Sequence, residues 1–226
     1  MGLSGTGNDD RMNEELLVDA RMRTLCMLSG PTIHELRGAA NVLALHLQLL
    51  AIEPTDDDAV ERRRRSLAAV DDGRRRLFDI AETFVRHATL PDARDGEFDL
   101  ARTTEHAVAL ARPYALHRRV DMTLAPTTVA APVSGRRDVV SQTLLDLLLA
   151  MLERLPQGSK LDVVVTPGSR DAQAVLRPSL SEAVPDAEVL ARAASAVEWA
   201  GGTLRVDDGS VIVQLPISLP GDPDEG

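Results

Sequence analysis

From Met22 to Leu50, apolar or small residues recur in alternating steps of four and three: Met22, Cys26, Ser29, Ile33, Leu36, Ala40, Leu43, Leu47 and Leu50. That period places them all on one seam of an α-helix. A second seam runs through Leu67, Val70, Arg74, Leu77, Ala81, Phe84 and Ala88. Between the two, Glu53-Pro54-Thr55-Asp56-Asp57-Asp58 breaks the pattern, so two long helices are expected to fold back as an antiparallel hairpin. A lone hairpin leaves part of its seam in water, and pairing two copies into a four-helix bundle buries it. A homodimer is therefore expected. Ser29-Gly30-Pro31 interrupts the first seam. Pro31 has no N–H for the preceding turn, which predicts either a kink or a fresh helix start. For a fresh start, Thr32-Ile33-His34-Glu35 reads as a capping box.

Beyond the Pro/Asp/Gly-rich linker from Leu90 to Gly96 the periodicity changes. Phe98 to Leu100 reads as a short strand, Ala101 to His117 as a helix, Val120 to Leu124 as a strand and Val139 to Leu155 as a strongly apolar helix. Pro156-Gln157-Gly158 turns into the alternating strand Leu161 to Val165. A strand around Ala174 to Leu176, a helix from Asp186 to Ala200 and strands Thr203 to Val206 and Val211 to Leu215 follow. Interleaved strands and helices predict an α/β sandwich. The expected fold class is α+β, with a flexible tail over 1–12, the helical hairpin over 13–90, the sandwich over 97–219 and a tail over 220–226.

Charge and cysteine content narrow the function. A net charge of -10 argues against nucleic acid as partner, because a phosphate backbone is held by clustered basic groups. The single cysteine, Cys26, excludes an intramolecular disulfide and a cysteine metal cluster, and suits a reducing cytoplasm. No apolar run approaches the roughly 18 residues of a membrane span. Cys26, on the seam, is expected to be a small buried residue, and Trp199 a core residue.

Four motifs stand in a telling order: His34-Glu35-Leu36-Arg37; Gln142-Thr143-Leu144-Leu145-Asp146-Leu147-Leu148-Leu149-Ala150; Leu155-Pro156-Gln157-Gly158; and Gly201-Gly202-Thr203-Leu204-Arg205-Val206. Together they resemble the core of a two-component sensor histidine kinase, in which a dimerising hairpin carries a phospho-accepting histidine and an ATP-binding sandwich follows. The resemblance spans nearly the whole chain. It makes His34 the phospho-acceptor, Glu35 the group that orients the ring or takes its second proton, and Arg37 a docking or electrostatic residue. On the seam register His34 falls beside the seam, facing solvent. Glu35 equally completes the capping box with Thr32.

The same resemblance implies a lost nucleotide site. The family's N-box asparagines correspond to Asp146 and Ala150, and alanine cannot hold a metal. Its Asp-x-Gly-x-Gly run corresponds to Arg177-Pro178-Ser179-Leu180-Ser181, with Ser179 where a glycine turn is needed. The phosphate-cradling glycines fall near Ala187 and Val189, whose side chains obstruct close backbone approach, and the lid between the glycine motifs is nearly absent. No ATP, other cofactor or metal is therefore expected. Gly38 stands where the family's phosphatases place a water-positioning side chain, and Ala39 replaces a frequent proline. With Gly38, Ala39 is expected to leave the surface low for a docking domain.

The reading is a histidine phosphotransfer protein that passes phosphoryl groups between receiver-domain aspartates through His34, with a response-regulator receiver domain or a hybrid kinase as partner. The alternative is a non-catalytic pseudokinase scaffold that binds and regulates such a partner. Folding the hairpin at Thr55 brings Arg74-Arg75-Arg76 to the height of His34. There they either steer an acidic receiver or pair locally, Asp71 with Arg75 and Asp72 with Arg76. His46, His87, His106 and His117 have no comparable setting.

Overall fold

The computed structural model describes residues 6–52, 58–88, 95–127 and 129–218. The expected turn at 53–57, most of the linker after Leu90 and the tail at 220–226 lie outside them. Helices α1 (Thr6–Ala51) and α2 (Ala59–Ala88) precede a region of alternating strands and helices. These are β1 (Gly96–Asp99), α3 (Leu100–Arg118), β2 (Asp121–Leu124), β3 (Pro132–Gly135), α4 (Arg137–Arg154), β4 (Lys160–Pro167), β5 (Asp171–Pro178), α5 (Ala187–Trp199), β6 (Thr203–Asp207) and β7 (Ser210–Pro216). The chain divides into two compact units: Met27–Thr89, and Met1–Cys26 together with Leu90–Gly226.

In the hairpin unit the partner positions fall along α2 as they rise along α1, so the helices are antiparallel. Arg76 meets Glu35 at 3.1 Å, Gly73 lies against Ala39 and Leu43, and the Ser66 hydroxyl lies 3.4 Å from His46 Nδ1. Gly73 carries no side chain where α2 lies against Ala39, which is buried. Ile33, Leu47, Leu67 and Phe78 are left roughly half or more exposed, at 54%, 47%, 53% and 66%.

Three expectations for α1 are corrected. The helix begins at Thr6, where a tail was expected through residue 12, and its stretch up to Cys26 belongs with the sandwich rather than with the hairpin. Of the kink and the fresh start left open at Pro31, the fresh start does not occur, since the helix runs through. Thr32 is consequently buried inside a helix and caps nothing, and Glu35 bonds to Arg76 instead. Cys26 is exposed, not buried, while Thr24 and Leu28 on the same helix turn inward.

The sandwich unit carries a five-stranded sheet in the order β2-β4-β5-β7-β6 and a separate two-stranded β1-β3 ladder. Only β2 and β4 run parallel; the other neighbours are antiparallel. Strict alternation in β4 and β5 turns Leu161, Val163, Val165, Ala172, Ala174 and Leu176 inward, and β7 adds Val211, Val213 and Leu215. Helices α3, α4 and α5 cover that face. α4 is the central one, with Leu144, Leu145, Leu147, Leu148 and Leu152 all at 0% exposure, which is why its sequence is apolar almost all round. Two aspartates start helices: the Asp99 carboxylate accepts from Ala101 N at 2.8 Å and the Asp186 carboxylate from Val189 N at 3.0 Å. β3 escaped the sequence reading, because Pro132-Val133-Ser134-Gly135 is short and bounded by breakers.

Candidate functional site

Two sets of residues, one in each unit, carry the expected chemistry. In the hairpin unit His34, Arg37 and Gly38 are exposed on α1 and Glu35 is partly buried. His34 and Glu35 are consecutive, so their side chains leave α1 about 100° apart, and Arg76 donates to the Glu35 carboxylate from α2. The His34 side chain is exposed, and the Glu35 carboxylate is engaged by Arg76 of the facing helix. A side chain added at Gly38 would meet nothing within 4 Å, so the surface one turn beyond His34 is open. Ala39 does not contribute to that low surface, since it turns inward toward Gly73.

The arginine run divides its pairing. Asp71 takes both Arg74 and Arg75, and the latter contact holds the Asp71 carboxyl below the usual range. Arg76 reaches Glu35 rather than Asp72. Arg37 remains as an exposed cation next to His34.

In the sandwich unit, Asp138, Gln142 and Asp146 recur every fourth residue along α4 and form a polar stripe on an otherwise apolar helix. Its partner is the first part of α1. Thr24, only 1% exposed, donates its hydroxyl to Asp146 at 2.7 Å and accepts from the Gln142 amide at 2.8 Å. Gln142 also donates to Asp146 at 2.8 Å. Further along, Arg21 and Arg136 each approach Asp138 at 3.8 Å, and the Arg136 guanidinium lies 3.8 Å over the half-buried Trp199 ring. Trp199 is thus a stacking platform at the sandwich margin, not the core residue expected.

Sequence reasoning singled out Asp146 but missed Thr24, Gln142, Asp138, Arg21 and Arg136. The fourfold spacing of polar residues in α4 was the available signal. Nothing in the sequence says that a segment more than a hundred positions away answers it.

The positions that the resemblance assigns to a nucleotide and its metal are occupied as follows. Ala150 offers no donor or acceptor, and the Asp146 carboxylate is already engaged by Thr24 and Gln142. Ser179 is taken up in the sheet, its N–H donating to Lys160 O at 2.8 Å and its hydroxyl accepting from Lys160 N at 3.0 Å. At the start of α5, where phosphate would sit on free N–H groups, Asp186 has bonded Val189 N. From Ser179 only Leu180, the 3-10 turn Ser181–Ala183, Val184 and Pro185 lead to Asp186. A separate cavity of about 430 Å³, lined by Glu97, Phe98, Asp99, Arg102 and Arg137 among others, lies away from these positions. Among the described residues no cluster of three metal-ligating side chains occurs, and no helix is long and apolar enough to cross a membrane.

Burial holds the Asp146 carboxyl above its ordinary value, against the opposing hydrogen bonds from Thr24 and Gln142. The charged groups bearing on it are Arg23 of α1 and Arg192 of α5, with Arg21, Arg136 and Asp138 further along the stripe. A carboxyl raised on folding stabilises the fold fully below its unfolded value of 3.8 and loses that contribution as pH rises through the folded value. Asp146→Asn, which stays neutral, should therefore be more stable than the wild type at pH 7. The difference should shrink toward pH 4. Urea unfolding at both pH values checks this; an equal difference at the two would remove Asp146 as its source.

Among solved structures, the chain is similar to the catalytic domain of the histidine kinase ThkA, at 15% identity over 54% of this chain and 97% of that one, with a TM-score of 0.46. It is also similar to the Acinetobacter baumannii histidine kinase AdeS, at 17% identity over 83% of this chain and 98% of that one, with a TM-score of 0.44. A histidine kinase from Burkholderia phymatum gives 15%, 84%, 98% and 0.43 on the same measures. No family model matches the sequence. No curated protein matches it either.

Proposed function

We propose that the chain is a histidine phosphotransfer protein that relays phosphoryl groups between receiver-domain aspartates through His34 and uses no ATP. The observation that carries this reading is the open setting of His34: an exposed imidazole, a restrained Glu35 beside it, and empty space above Gly38. The misfit of Asp146, Ala150, Ser179 and Asp186 to a nucleotide supports the choice of a protein donor.

In the transfer, the unprotonated nitrogen of neutral His34 attacks the phosphorus of an aspartyl phosphate. An N–P bond forms, the P–O bond to the aspartate breaks, and the aspartate carboxylate leaves. The ring's other N–H proton passes to Glu35 or to water. Attack by a second receiver's aspartate runs the same step in reverse. Magnesium is supplied by the receiver, and Arg37 offers a positive charge to its acidic face. A second copy of the chain pairs through the exposed apolar residues of the hairpin, which include Ile33, Leu47 and Phe78.

Incubation with a phosphorylated receiver domain tests the reading. Acid-labile phosphate should appear on the wild type and be absent from His34→Ala. A protein that binds receivers yet takes no label from any of them is instead a non-catalytic pseudokinase scaffold.

A further inference from the structure

We infer that the first part of α1, residues 13–24, is a detachable strap that covers the Asp138, Gln142 and Asp146 stripe of α4 through a polar latch. This goes beyond phosphotransfer and does not depend on it.

The strap has two unlike faces. Arg21 and Thr24 lie on the face turned toward α4, where Thr24 is 1% exposed. Met12, Leu16, Val18 and Met22 lie on other faces and are 53%, 54%, 59% and 60% exposed. Thr24 and Arg21 hold the docked side by hydrogen bonds and charge, beside the partly buried Leu17 and Ala20, while Leu16, Val18 and Met22 stay exposed. A helix that belongs permanently to a core buries its apolar residues more fully.

Several polar atoms at the latch are also buried without a hydrogen-bond partner: Nε and one terminal nitrogen of Arg21, Nε of Arg136, one oxygen of Asp138 and the amide oxygen of Gln142. Each exacts a desolvation penalty that an apolar contact would not. The docked state is accordingly stable enough to form and weak enough to open. The helix also has a weak point shortly beyond the strap, because Gly30 carries no side chain and Pro31 has no N–H to donate. Once undocked, a segment this short has little helical stability in water. Opening takes Thr24 away from Asp146, which keeps Gln142, and bares the stripe.

Native-state amide hydrogen exchange on the full chain tests this. In the wild type, amides of 13–24 should exchange faster than those of β4 and β5 but slower than unprotected amides. Thr24→Val, which keeps shape and removes the hydroxyl, should speed exchange of 13–24 about tenfold and leave β4 and β5 unchanged. Thr24→Ala should act in the same direction and serves if the first variant does not fold. Protection of 13–24 equal to that of β5, or acceleration of both together in the variants, makes the segment part of the core and overturns the strap. Unprotected exchange of 13–24 in the wild type overturns it as well. His34→Ala should exchange like the wild type, so that loss of phosphotransfer and failure of the strap are read separately.

Discussion

Gly135→Ala should lower the stability of the sandwich by about 3 kcal/mol or more, a loss of roughly 6–12 °C in Tm for a chain of this size. Gly135 ends β3 at φ +146°, a backbone conformation that an L side chain rarely adopts. A Cβ at this position would also collide with the carbonyl oxygen of Ala200, at the end of α5. That neighbour is backbone and cannot rotate aside. The next residue, Arg136, stacks on Trp199, so any shift that relieves the clash also disturbs that contact. Thermal unfolding measures the effect, and a variant within 1 °C of the wild type would falsify the close approach.

Asp138→Ala should have a comparable effect for an electrostatic reason. Asp138 is 2% exposed and is the anion shared by Arg21 and Arg136, whose side chains are 18% and 17% exposed. Removing it leaves the Arg136 guanidinium, and Arg21 for as long as the strap is docked, without a counter-charge, a change that costs up to about 3–5 kcal/mol at such sites. A double replacement, Asp138→Ala with Arg21→Met, removes one of the stranded cations and should recover part of the loss. Urea unfolding of the single and double variants gives the comparison. If the double variant loses the sum of the two single losses, the charges do not interact and the assignment fails.

The parts of the fold legible in the sequence were those whose pattern is local. The alternation in β4, the continuous apolar run of α4 and the seams of α1 and α2 each declare their element within a dozen residues. What escaped was set by partners distant in sequence or by competition between local signals. Thr32 to Glu35 satisfies the spacing of a capping box, yet the helix continues through Pro31 and Arg76 takes the carboxylate. Cys26 lies on the seam, but Thr24 and Leu28 turn inward in its place, and the residue is exposed. Of the candidate sites, the histidine motif was visible because it occupies four consecutive residues. The stripe on α4 could be read only halfway: Asp146 stood out as a departure from a motif, whereas Thr24 gives no hint of its role until the fold brings the two together.

The open five-stranded sheet leaves two borders, β2 and β6. β2 is four residues long and begins with Asp121, while β6 carries Arg205 and Asp207, paired at 3.1 Å, and turns sharply at Asp208-Gly209. A short border and a charged one offer poor templates for a strand of another molecule. Concentrated solutions of the native protein should accordingly resist conversion to cross-β fibrils.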